Sequence, residues 1–194
     1  MEERKLNEKE SLELISQMIQ NTQQKLIKHS GIPFLTWGYV SAVVSLIVWI
    51  LLKNTQNYLW NYLWFLIPAV GYAAMYLMSK NREKGVKTYI DKVIAYIWIG
   101  FAVTGFTVSA SAIFLWSFPI LFIILLLMGT GTAITGMVIQ FKPITVSGFL
   151  GVALSFGTLL IPGYNSILIF ALIFLIMMVI PGHILNYKSK KSYV

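Results

Sequence analysis

Four stretches of this chain contain no Asp, Glu, Lys or Arg: Ile32–Leu52, Asn54–Ser79, Val93–Phe141 and Pro143–Tyr187. A hydrocarbon layer about 30 Å thick is crossed by about 20 helical residues, each rising about 1.5 Å. Backbone inside that layer has no water to bond, so it must satisfy its own polar groups as a helix or a closed barrel. The 21 residues of the first stretch supply one span, and the second supplies another from about Tyr58 to Ser79. Val93–Phe141, at 49 residues, is too long for one helix. It divides at Trp116-Ser117-Phe118-Pro119, because Pro opens helices and disrupts their interiors. The last stretch divides at Ile161-Pro162-Gly163-Tyr164-Asn165, whose Pro-Gly and Asn are turn residues. The expected fold is all-α: a polytopic membrane bundle of six transmembrane helices at 32–52, 58–79, 93–116, 119–140, 143–161 and 166–186. Residues 1–31 precede this 32–187 domain, and a basic tail, 188–194, follows it.

The basic residues orient the bundle. Of the 15 Lys and Arg, five precede the first span (Arg4, Lys5, Lys9, Lys25, Lys28) and five follow the second (Lys80, Arg82, Lys84, Lys87, Lys92). Lys142 follows the fourth, and Lys188, Lys190 and Lys191 follow the sixth; Lys53 alone falls on the other side. Basic residues collect in short cytoplasmic loops, so both termini are expected in the cytoplasm. The span count and this charge rule are independent and agree. The same asymmetry explains the net charge of +8, so no nucleic-acid partner is expected. Trp49, Tyr58, Trp60, Tyr62 and Trp64 crowd the opposite, outer ends of spans one and two, where amphipathic rings favour headgroup depth. Stacking on a sugar or lipid at that rim is the alternative reading of the same rings. The chain has no Cys, which removes disulfides and thiolate chemistry.

Two pieces are expected in the cytosol. Residues Asn7–Ser30 read as an amphipathic helix, capped by Asn7 with Glu10 completing a capping box, and stopped by Gly31 before Pro33 opens the first span. Leu12, Ile15, Ile19 and Leu26 fall on one apolar stripe and are the candidate contacts for a cytosolic protein partner or a second copy. The polar face mixes acids and glutamines rather than Lys and Arg, which favours protein contact over lying on the membrane. The second loop carries Lys80, Arg82, Lys84 and Lys87, candidate contacts for anionic lipid head groups.

Within the spans, small and hydroxylated residues replace charge. Gly129, Ala133, Ser147, Gly151 and Ser155 are candidate helix-packing positions, where small side chains let backbones approach. Gly100, Thr104, Gly105, Thr107, Ser109 and Ser111 give span three the same character, so close packing of spans three to five, or pairing between copies, is expected. Pro68 and the Pro181-Gly182 pair can bend their helices. A proton-driven pump is disfavoured by the uncharged spans.

No metal, cofactor or catalytic pattern is found, and an enzyme is not expected. Ser147-Gly148 with a late His183 resembles rhomboid intramembrane proteases in outline. Those carry Gly two residues before the serine, where this chain has Thr145, so an intramembrane hydrolase remains the exception rather than the expectation. The stretches Asn7–Ile15 and Gly85–Ile94 look similar to small six-span bacterial membrane proteins of no known activity, a resemblance that implies a bacterial cytoplasmic membrane and no functional residues. The leading expectation is a non-enzymatic regulatory or assembly component. The alternative is a small-solute binding subunit, because size and layout resemble the S components of energy-coupling factor transporters. Its ligand would sit in a polar pocket among spans three to six, and span one lacks a clear Ala-x-x-x-Ala.

Overall fold

The computed structural model describes residues 7–80, 89–115 and 118–191; the side chains of 8, 15, 17–30, 79, 113 and 189–191 lie outside that description. The described chain is all-helical. It runs as α1 (Glu8–Thr55), a 3-10 helix (Tyr58–Phe65) leading into α2 (Leu66–Lys80), α3 (Tyr89–Phe114), α4 (Ile120–Val138), α5 (Lys142–Ser155) and the single turn α6 (Gly157–Leu160). A 3-10 turn (Gly163–Asn165), α7 (Ser166–Phe174), a π-helical turn (Leu175–Val179) and α8 (Ile180–Lys191) complete it. Among the described residues, six helical stretches are long and apolar enough to cross a membrane: Gly31–Thr55, Tyr58–Met78, Tyr89–Ala112, Ile120–Val138, Lys142–Leu160 and Gly163–Lys188. The two breaks expected at Pro119 and Pro162-Gly163 are both present. Pro119 caps α4, and Gly163 takes a φ of 73° that suits a residue without a Cβ.

At the start of α1, Asn7 is extended (φ −68°, ψ 151°) and its N–H donates to Glu10 Oε2 at 3.2 Å, the expected capping box. The expected stop at Gly31 is not there. α1 continues through Gly31 and Pro33 as one helix of 48 residues. Gly31 answers to packing instead: a Cβ there would come within 2.9 Å of the Asn186 carboxamide carbon and 3.2 Å of the Gly182 carbonyl oxygen. α8 also meets Phe34 and Leu35, which lie beyond Pro33. Contact on both sides of the proline holds the two halves of α1 in register although one backbone donor is missing.

The centre of the bundle is α4 and α5 laid against each other, then backed by α7 and the π turn. The α4–α5 corner is a Schellman motif, in which Gln140 (φ 55°) donates to Met137 O at 3.1 Å and Phe141 donates to Gly136 O at 2.8 Å. Leu125, Ile144 and Met177 are fully buried where these helices meet, with Phe34, Phe170, Phe174 and Leu185 in the same cluster. A smaller cluster of Val44, Val48, Leu52 and Ile167 joins α1 to α7. Spans two and three lie outside this core: 6% of each span's most apolar stretch is buried, against 56% for the last span. In lipid there is little hydrophobic drive between helices, so association rests on fit and on hydrogen bonds. The inner spans therefore carry the fold.

Candidate functional site

The packing residues fall into two contacts. In the first, α4 and α5 approach backbone to backbone. A Cβ on Gly129 would lie 3.0 Å from both the Gly148 carbonyl oxygen and the Val152 nitrogen, and one on Gly148 would lie 2.7 Å from the Ala133 Cα. Gly136 meets Thr145 in the same way, 2.8 Å from its Cα. In the second contact, α5 turns Ser147 and Gly151 toward the π turn. The Ser147 hydroxyl donates to Met177 O at 3.0 Å, and a Cβ on Gly151 would meet the Met177 sulfur at 2.5 Å. Ser155 is fully buried and bonds Val152 O at 2.6 Å within its own helix. Span three shares in this in part. Gly105 is buried, and a Cβ built on it would lie 3.7 Å from Ile124 of α4, while Phe101 lies 3.1 Å from a Cβ built on Gly131. Gly100, by contrast, has nothing within 4 Å of a built Cβ, and Thr104, Thr107 and Ser111 bond carbonyls of their own helix. Span three thus meets span four through Phe101 and Gly105, while the closest backbone approach is between spans four and five.

Ser147 and His183 are held apart by their partners. Ser147 bonds the backbone of Ile144 and Met177, whereas His183 Nε2 lies 2.8 Å from the Tyr39 hydroxyl on α1. A nucleophile and its base would have to bond each other. These two do not.

Of the apolar stripe on the N-terminal arm, Leu12 is 68% exposed, with Leu14 beside it 44% exposed. The side chains of Ile15, Ile19 and Leu26 lie outside the described residues, as do Arg82, Lys84 and Lys87 of the second loop. Lys80 is described and exposed. The ends of the bundle are distinct. Gly31 with Asn186, Lys188 over the Phe141 ring (5.3 Å) and Thr36 with Met78 mark one end. Gln56, Pro119 and Gly163 mark the other.

At that second end three connections converge on a cleft of about 380 Å³. Leu52, Ile120, Leu121 and Ile167 supply its apolar wall, and Gln56, Tyr58, Asn61, Trp64, Tyr164 and Ser166 supply rings, amides and hydroxyls. Its build follows from local sequence. Asn57 Oδ1 accepts from the Leu59 N–H at 3.0 Å and opens the 3-10 helix. Three residues per turn then stack i on i+3, which sets the Asn61 carboxamide beneath Trp64. Asn61 Oδ1 accepts from the indole at 3.3 Å while its Nδ2 donates to Tyr58 O at 3.1 Å. The Trp64 ring is half-buried and rests edge-on against Phe170 of the core, 5.3 Å away. Asn165, between the lining residues Tyr164 and Ser166, accepts from the Trp49 indole at 3.3 Å, and Lys53 sits 4.8 Å above the same Trp49 ring. Gln56 ends α1 in the left-handed region (φ 51°), where a residue with a Cβ is uncommon.

The sequence marked these aromatics but not the cleft, because its walls come from segments about a hundred residues apart and no local pattern encodes their meeting. The nearest available signal was the surplus of uncharged hydrogen-bonding residues, Gln56, Asn57, Asn61 and Asn165, in otherwise apolar connections. No protein-family model, no curated protein and no solved structure matches the chain.

Proposed function

We propose that this chain is a non-enzymatic, multi-pass protein of a bacterial cytoplasmic membrane that acts in regulation or assembly, with both termini in the cytoplasm. In this reading its N-terminal arm and second loop meet a cytosolic protein partner or a second copy of the chain. The observation that carries it is the continuity of α1: one unbroken helix joins the first span to the arm, on which Leu12 and Leu14 stand exposed. A rigid connection of this kind passes a displacement of the arm directly into the packed spans, as a flexible hinge would not. The orientation draws support from the gathering of Lys80, Lys142 and Lys188 at the arm end and of Lys53 at the other. The buried fill of Leu125, Ile144 and Met177 between spans four, five and six weighs against a solute chamber there.

Removal of residues 1–30 is the test. Proteins captured with the intact chain from solubilised membranes should be lost with the truncated one, while the bundle still unfolds cooperatively. Retention of every captured partner by the truncated chain would overturn the proposal.

A further inference from the structure

We infer that the cleft at the Gln56 end binds one neutral hexose unit, carried either as the head group of a glycolipid or as a free glycoside. This goes beyond the arm-based reading and does not depend on it. The cleft, about 380 Å³, falls within the range of small-molecule sites, roughly 300–1,000 Å³. Its lining chooses among ligand classes. Among the described residues no Asp, Glu, Lys, Arg or His lines it, so neither a phosphate nor an ammonium group would find a countercharge there. Lys53, the nearby cation, is directed to the Trp49 ring. What the cleft offers is aromatic surface and neutral hydrogen-bonding groups. Tyr58 and Tyr164 both line it and are both exposed, so each presents aromatic surface at the cleft. Rings of this kind stack on the C–H faces of a sugar, and carboxamides such as Gln56 pair with its hydroxyls.

Two further observations separate this cleft from an accidental gap. Asn61 spends both ends of its carboxamide bracing Trp64 and the Tyr58 carbonyl, so the wall is fixed before any ligand arrives. Gln56 holds a backbone conformation that a glycine would adopt at lower cost, and its side-chain amide makes no hydrogen bond among the described residues. As the left-handed cap of α1, its N–H bonded to Leu52 O, it holds an unengaged carboxamide on the cleft.

The test uses the intact chain in phosphatidylcholine nanodiscs, purified without sugar-based detergent, which would occupy the site. Tryptophan fluorescence is followed while methyl β-glucopyranoside is added, and separately in discs containing monoglucosyldiacylglycerol. A saturable change is expected, weakened about tenfold in Gln56→Gly and in Tyr164→Ala and kept in Tyr96→Ala, which lies on α3 away from the cleft. Gln56→Gly suits the left-handed position, so its loss of binding cannot be loss of fold; a thermal scan of each variant verifies this. A change with the glycolipid alone assigns the head group, and a change with the free glycoside as well assigns the sugar itself. No saturable change in either arm would overturn the inference. So would equal binding by Gln56→Gly and the parent chain, or an equal change produced by phosphatidylglycerol.

Discussion

The hydroxyl of Ser147 on α5 donates to the carbonyl of Met177 at 3.0 Å, and Met177 is the residue that Pro181, four positions on, has no N–H to serve. The π turn at Leu175–Val179 belongs to the same arrangement, with the Ile180 N–H bonded five residues back to Leu175 O. A proline in span six and a serine in span five thus complete one another. Ser147→Ala should cost about 0.6 kcal/mol and no more than about 1.7, the average and the maximum for hydrogen bonds between membrane helices. In a Pro181→Ala background the missing donor returns, and the same change should cost less than about 0.5 kcal/mol. Unfolding in mixed micelles with rising SDS measures all four chains of the cycle. Additive costs would show that the two sites are not coupled.

Glycines of the same chemical type should differ sharply by position. Gly148→Ala forces a methyl against the Ala133 backbone and should destabilise by about 1–3 kcal/mol, the usual cost of overpacking. Gly100→Ala meets open space and should stay within about 0.5 kcal/mol of the parent. The same SDS titration reads both.

These positions also show what the sequence could and could not reveal. Uncharged tracts and their Pro and Gly interruptions are local, and they gave six segments and both breaks at Pro119 and Pro162-Gly163. Gly31 and Gly100 are equally local but mean different things. Gly31 looks like a helix stop and is instead the place where α8 comes close. Gly100 looks like a packing residue and faces outward. A glycine announces only that a side chain is absent, and what fills the space is decided by a distant helix. The cleft was illegible for the same reason, since Gln56, Asn61 and Tyr164 meet only after three connections fold to one end.

Thr132 and Thr135 on α4 make a matched pair. Both are buried, yet Thr135 donates to Gly131 O at 2.7 Å while Thr132 Oγ1 has no partner among the described residues. Leaving a buried hydroxyl unpaired costs about 1–3 kcal/mol. Thr132→Val, nearly the same shape, should therefore be neutral or stabilising by up to about 1 kcal/mol, and Thr135→Val should destabilise. Equal losses in thermal unfolding of the two variants would show that Thr132 is bonded after all.

On the arm, Leu12→Asp changes an exposed side chain and should leave bundle unfolding within about 0.5 kcal/mol of the parent. The proposed contact should nevertheless be lost, read as disappearance of captured partner or of chemical cross-links between copies. Capture unchanged by Leu12→Asp would place the contact elsewhere.

The central claim is that the arm and the gathered basic residues share one side of the membrane, with Lys53 on the other. The chain has no native Cys, so Lys53→Cys, Lys9→Cys and Lys80→Cys each carry a single reporter. A membrane-impermeant maleimide added to intact cells should label Lys53→Cys, whereas Lys9→Cys and Lys80→Cys should label only after the membrane is opened. Labelling of Lys9→Cys in intact cells, or protection of Lys53→Cys until lysis, would contradict the topology and the function proposed from it.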